Sequence, residues 1–262
     1  MQGKVVIVTG GTEGIGAACV RALLARGCQV VLAGLKPAVE PLPDGAVAVY
    51  GDLRFPEFRQ RLIHQTLDRF GRIDGLINNA GVGLYAPASE TDLDQAQSLF
   101  EVNLWAPMHL VQLARPYLRE SGDGFIVNIG SVGGWVTLPW ATMYCASKYA
   151  MHALSEGLYR ELRGEGIHVM LTVPGIIQTN FRDNVLSGTP PPRVEQIRYV
   201  IAPEDLARAI VEGIARRRRT VVLPKVARLF AFLNYAFPWL MDWYCEYKSG
   251  GQGSRASVPQ AR

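Results

Sequence analysis

Tyr144 and Lys148 stand four residues apart in a stretch of helical periodicity, which puts both side chains on one helix face, one turn apart. An unperturbed phenol has a pKa of about 10 and is a poor base at neutral pH. A neighbouring ammonium favours the phenolate and lowers that value toward the range where general acid–base catalysis is efficient. Such a pair can give a proton to a carbonyl oxygen or take one from an alcohol. Near the N-terminus, Gly10, Gly14 and Gly16 in TGGTEGIG follow a short apolar run and precede a helical pattern. In that context backbone N–H groups and the helix N-terminus can approach a pyrophosphate closely. Taken singly, each feature also has an ordinary reading: a half-buried helix tyrosine, a surface lysine, a glycine-rich turn. The GxxxGxG spacing also differs from the GxGxxG of many dinucleotide binders.

Positioning these residues requires a scaffold, and the pattern around them supplies one. Short apolar runs at 5–8, 29–33, 47–50, 75–78, 125–129, 168–173 and 220–223 alternate with helical stretches near 14–26, 57–70, 92–119, 144–163 and 203–215. This alternation predicts an α/β fold, with a doubly wound, mainly parallel sheet of about seven strands and helices on both faces. Residues 36–45, KPAVEPLPDG, are too short and too rich in proline for a crossover helix and are expected to form a loop. The expected organisation is a dinucleotide-binding catalytic unit over 1–225, with a mobile lid at about 176–200. An apolar, aromatic extension follows at 226–248, then a Gly/Ser-rich tail at 249–262.

Further residues fall in register with the first two features. Asp52 and Leu53 follow the third strand, Asn78-Asn79-Ala80-Gly81 closes the fourth, and Asn103 lies in the next helical stretch. Ser131 follows the fifth strand, thirteen residues before Tyr144, and Pro174-Gly175 with Thr179 follows the sixth. In order and spacing, over about 3–225, the set resembles the short-chain dehydrogenase/reductase family. The resemblance implies a Rossmann-type fold and an oxidoreductase that moves a hydride between NAD(P)(H) and a carbonyl or alcohol. It implies that Tyr144 exchanges the proton, Ser131 holds the substrate oxygen, Lys148 also grips the nicotinamide ribose, and Asn103 anchors a water-linked proton relay. Gly10, Thr12, Glu13, Gly14, Ile15, Gly16 and Lys36 would line the diphosphate and adenosine site. Asp52 and Leu53 would hold the adenine, Asn79, Ala80 and Gly81 the middle of the cofactor, and Pro174, Gly175, Ile177 and Thr179 the nicotinamide. A homodimer or homotetramer, paired through the long helices, is expected on the same ground.

Cofactor choice rests on conflicting residues. The second strand ends Ala33-Gly34-Leu35-Lys36 without the acid that binds a ribose 2′-OH, which disfavours a strict NAD site. Lys36 suits a 2′-phosphate, whereas Glu13 opposes one unless it points away; the balance leans to NADP(H). Trp135, Val136, Leu138, Trp140, Met143, Ile176, Ile177 and Phe181 predict an apolar pocket for an apolar carbonyl or alcohol substrate. The extension holds eight aromatic residues, interrupted by Arg228, Asn234, Pro238 and Asp242, so a membrane span is not expected. Its three readings are a flap over the site, a subunit interface, or peripheral contact with a membrane. A non-catalytic cofactor sensor or membrane-surface protein on the same scaffold is the competing function, and the presence of Tyr144 and Lys148 disfavours it.

The remaining composition excludes other classes. Net charge is +4 and the pI about 8.9, with basic residues scattered apart from Arg216-Arg217-Arg218-Arg219, so no nucleic-acid partner is expected. His64, His109, His152 and His168 are isolated and Cys19, Cys28, Cys145 and Cys245 lack CxxC spacing. No metal site and no disulfide framework are expected. A strand pattern at the very start predicts no cleavable signal peptide and a cytoplasmic location.

Overall fold

The computed structural model of the chain describes residues 1–37, 42–188 and 200–249. Among them are seven strands: β1 (Val5–Thr9), β2 (Gln29–Gly34), β3 (Ala46–Tyr50), β4 (Gly75–Asn78), β5 (Phe125–Ile129), β6 (His168–Pro174) and β7 (Thr220–Leu223). All are parallel, in the order β3-β2-β1-β4-β5-β6-β7. Parallel strands covered on both faces lose their alternation, and β1 and β5 are indeed buried at every residue and apolar but for a closing Thr9 and an internal Asn128. The fold is the Rossmann-like doubly wound sheet that the alternation predicts.

One face is covered by α1 (Gly14–Leu24) and α6 (Pro203–Ala215), whose Leu23, Leu206 and Ile210 pack on Val6, Val8 and Val127. The other is covered by α2 (Pro56–Phe70), α4 (Ala106–Glu120) and α5 (Thr142–Leu162), whose Leu62, Leu110, Leu118 and Leu162 pack on Ile7, Leu76 and Ile126. Strand order reverses between β1 and β4, so a crevice opens at the carboxyl ends of those strands, where ligands bind in open α/β sheets. Every candidate motif sits on that edge.

Several boundaries follow from local chemistry. Asp92 caps α3 (Leu93–Phe100) by accepting from Asp94 N at 2.8 Å and Gln95 N at 3.1 Å. Pro56 and Pro203 occupy first-turn positions, and Gly71 ends α2 in a left-handed conformation. The helical stretch expected over 92–119 is interrupted by one π turn at Glu101–Trp105, just before Pro107, which has no N–H to bond back. No helix links β2 to β3 in residues 35–37 or 42–45; 38–41 lie outside the described residues.

After β7 the chain forms α7 (Ala227–Ala236) and α8 (Pro238–Ser249), broken at Pro238. The rings of Phe230 and Tyr244 stack across the two at 5.9 Å. Among the described residues no helix is long and apolar enough to cross a membrane, and no group of His, Cys, Asp or Glu could hold a metal ion.

Candidate active site

The glycine loop is fixed by what its glycines lack. Gly10 and Gly14 have φ of +62° and +53°, and a Cβ on Gly16 would lie 2.0 Å from the carbonyl oxygen of Gly10. Glu13 precedes α1 without capping it through its side chain, so the first amides of that helix face the crevice without a side-chain acceptor. Thr9 binds this loop to the end of β4: its Oγ1 accepts from Asn79 N at 3.0 Å and Ala80 N at 3.1 Å. Asn79 returns the contact, donating through Nδ2 to the carbonyls of Thr9 and Gly10.

Tyr144 and Lys148 project from α5 into the same crevice. The Lys148 ammonium donates to Ile129 O at 3.1 Å and lies 5.8 Å from the centre of the Tyr144 ring. Ser131 opens a single turn at Val132–Gly134 and accepts from Gly133 N at 3.0 Å; its side chain also bonds that of Tyr144. Asn103 sits on the π turn, 1% exposed, bonded to both backbone groups of Val82 and to Ser147 Oγ. It backs the strand-end loop: a Cβ on Gly81 would meet Asn103 Oδ1 at 3.2 Å and Lys148 Nζ at 3.6 Å.

One cavity of about 1000 Å³ joins these groups. Of the residues singled out in the sequence, Gly10, Thr12, Glu13, Gly14, Ile15 and Lys36 line it, with Asp52 and Leu53 beside them. Asn79, Ala80, Gly81, Ser131, Tyr144 and Lys148 line its middle, and Pro174, Gly175, Ile177 and Thr179 the stretch beyond. Gly16 and Asn103 stand behind the wall rather than in it.

The comparison with known families decides what this assembly belongs to. The family model described as short chain dehydrogenase matches residues 4–189. The chain is a member of that family of oxidoreductases. Among curated relatives, L-fucose dehydrogenase of Mus musculus is 37% identical, with 77% of this chain and 75% of that protein covered. The 11-beta-hydroxysteroid dehydrogenase 1A of Arabidopsis thaliana is 29% identical, with 94% and 75% covered. A short-chain dehydrogenase from Streptomyces avermitilis superposes with a TM-score of 0.81 at 28% identity, covering 98% of this chain and 99% of that one. A Burkholderia phymatum short chain dehydrogenase/reductase, solved in complex with NAD, gives 0.80 at 25% identity, covering 91% and 95%.

Two expectations need correction. Burial dominates the titration of the pair: it pushes the Tyr144 phenol up, a hydrogen bond with Ser131 opposing it, and it pushes Lys148 down to about 8. The net direction at Tyr144 is thus opposite to the one that the four-residue spacing implies. Trp135, Trp140 and Met143 do not line the cavity, whereas Val136, Leu138, Ile176, Ile177 and Phe181 do. Trp135 turns instead onto His152 and a small core with Val173 and Val222. Trp140 adopts φ of +68° and accepts from Ala86 N, and Met143, one residue before Tyr144, faces a separate groove beside Trp105. Of the expected lid, residues up to Gly188 meet the loop after β4, Gly83 and Tyr85 donating to Asn184 O and Ser187 O. The rest of it, 189–199, lies outside the described residues, as do 250–262 of the tail.

Other lining residues were not singled out one by one in the sequence, although a flap over the site was one reading of the extension. Tyr85 and Leu186 join the apolar wall, and Phe230, Met241 and Tyr244 roof it from α7 and α8. Arg54 lines the far end with Lys36, held by three hydrogen bonds to Asp52; its place two residues after Asp52 could have flagged it. Glu13, whose charge counted against a 2′-phosphate, accepts from Asn184 Nδ2 at 2.6 Å.

Proposed function

We propose that the chain is an NAD(P)(H)-dependent enzyme interconverting a carbonyl and an alcohol on an apolar substrate, with NADP(H) preferred. The carrying observation is that Ser131, Tyr144 and Lys148 face one cavity with the glycine loop at one end and an apolar chamber at the other. The residues suit a dinucleotide: the loop has no room for a Cβ at Gly16, and the N-terminus of α1 is free to meet a diphosphate. Asp52 and Leu53 would flank the adenine, and Pro174, Gly175, Ile177 and Thr179 the nicotinamide, which when bound supplies or accepts the hydride. Tyr144 would give its phenolic proton to the substrate oxygen in reduction and recover it in oxidation, while the Ser131 hydroxyl bonds the same oxygen. Lys148, as an ammonium, would stabilise the phenolate that proton donation leaves.

Preference for NADP(H) rests on Lys36 and Arg54 at the adenosine end, the absence of an acid in residues 33–36, and the engagement of Glu13 by Asn184. The relatives' names span a steroid and a sugar, and the chamber favours the former kind: Leu138, Phe181, Leu186, Phe230 and Met241 offer an apolar molecule area, with only a few polar groups such as those of Tyr85, Asn180 and Tyr244 beside them. A panel of ketones, aldehydes and alcohols of graded chain length, assayed with NADPH and NADH, tests this. Rates should rise with chain length and NADPH should win; activity confined to short polar sugars would contradict it.

The hairpin of α7 and α8 supports a further element of the same reading, peripheral contact with a membrane from a cytoplasmic location. Leu229, Phe232, Tyr235, Trp239 and Trp243 are exposed on it, with Lys225 and Arg228 exposed at its start. The full chain should sediment with anionic vesicles and a variant cut after Pro224 should not; if both stay in the supernatant, this element is wrong. Subunits would pair through α4 and α5, which sedimentation velocity would detect as a dimer or tetramer.

A further inference from the structure

We propose that His152 is a positioning residue, whose imidazole Nε2 holds the backbone of Ser131 and so sets where the serine hydroxyl meets the substrate oxygen; this rests on the catalytic reading above. His152 continues the face of α5 that carries Tyr144 and Lys148, four residues further on. Ser131 N–H donates to His152 Nε2 at 3.4 Å. The flanking chain lies directly on the ring: a Cβ on Gly130 would fall 2.4 Å from Nε2, and one on Gly134 within 2.6 Å of two ring atoms. Trp135 closes the same contact edge-on, with ring centres 5.6 Å apart. Both ends of the serine turn therefore wrap one imidazole.

Two features mark the histidine as more than filler. Nδ1 is buried without a hydrogen-bond partner among the described residues, a cost that an apolar side chain of similar size would avoid. Burial, and then the neighbouring Lys148, holds its pKa down to about 4, so the ring is neutral and Nε2 remains an acceptor over the working range. Ser131 Oγ in turn bonds Tyr144, so a shift of this backbone moves the hydroxyl relative to the phenol. The turn also meets the C-terminal hairpin: Trp135 O accepts from Asn234 Nδ2 at 3.2 Å and from the Tyr149 hydroxyl.

His152→Gln and His152→Asn separate acceptor geometry from bulk and polarity, because the Gln amide reaches the place of Nε2 and the Asn amide only that of Nδ1. His152→Leu removes both. The readouts are kcat, KM for the carbonyl substrate, Kd for NADPH and the melting temperature. His152→Gln should stay within about twofold of wild-type kcat, and Asn and Leu should lose about tenfold. NADPH affinity should be unchanged in all three, and melting temperature should not follow kcat. Full kcat in His152→Asn, or equal losses in all three that track the melting temperature, would overturn the proposal. Should His152→Leu fail to fold, the Gln–Asn difference still decides. Tyr144→Phe run alongside separates the two failures: an active Tyr144→Phe sinks the catalytic reading itself, whereas an inert one beside an unimpaired His152→Asn sinks this inference alone.

Discussion

The two ends of the cavity are built on different principles. The glycine-loop end is made of backbone: Gly10, Gly14 and Gly16 have no side chains, and Thr9 and Asn79 lock the loop to β4 by five hydrogen bonds to or from main-chain groups, four of them 3.1 Å or shorter. The substrate end is made of side chains brought from far apart, Tyr85 and Leu186 from two touching loops and Phe230, Met241 and Tyr244 from the last two helices. A site of the first kind tolerates almost no change of atom count. One of the second kind can change its lining while keeping its volume, so on the proposed reading the first would specify the cofactor class and the second the substrate.

This contrast is sharpest at Gly16. Gly16→Ala adds a methyl where 2.0 Å separates it from Gly10 O, so the loop must move; cofactor affinity should fall about a hundredfold in a fluorescence titration. A variant that binds normally would show that the backbone end is no more exacting than the other.

Lys148→Met should lose turnover about a hundredfold and yet gain stability. The lysine is 5% exposed and its folded pKa, about 8, lies below its ordinary value of 10.5. Between those values the unfolded chain binds more protons than the folded one, so wild-type stability should rise with pH across that window and be lowest below it. The variant should melt higher than wild type at pH 7, by about 2–4 °C for each kcal/mol recovered, and should lose the pH slope between about 8 and 10.5. A lower melting temperature would contradict the burial account.

At the substrate end, Phe230→Ala and Met241→Ala should each raise KM for a long-chain ketone about tenfold, equivalent to about 1.4 kcal/mol, and leave KM for NADPH unchanged. Equal effects on both would mean that the hairpin supports the whole fold rather than the chamber. Arg54→Ala carries the smallest expected change. NADPH affinity should fall about fivefold, given the half-exposed guanidinium, with NADH affinity unaltered; loss of both would assign Arg54 to holding Asp52 alone.

The same contrast explains what was legible in the sequence. Backbone-defined features advertise themselves by residue type: the glycines of the loop, and Asn103, Ser131 and Tyr144 at strand ends or on a helix. A mainly parallel sheet of about seven strands follows from the alternation, whereas the strand order does not. The roof was not legible, because an aromatic helix reads alike whether it faces a cavity, a partner or a membrane. Trp135 was misplaced for a related reason: its position after Ser131 says nothing of the turn that rotates it onto His152. The π turn at Glu101–Trp105 and the upward push on the Tyr144 phenol depend on packing and burial, which spacing does not encode.

The central claim is that a phenol held by Ser131 and Lys148 moves the proton that accompanies hydride transfer. Single-turnover mixing of the enzyme–NADPH complex with a long-chain ketone, followed at 340 nm, tests it most directly in wild type and Tyr144→Phe. Wild type should oxidise its bound NADPH, and the variant should bind the cofactor as tightly yet lose at least about a hundredfold in that rate. A variant that consumes NADPH at the wild-type rate would contradict the account.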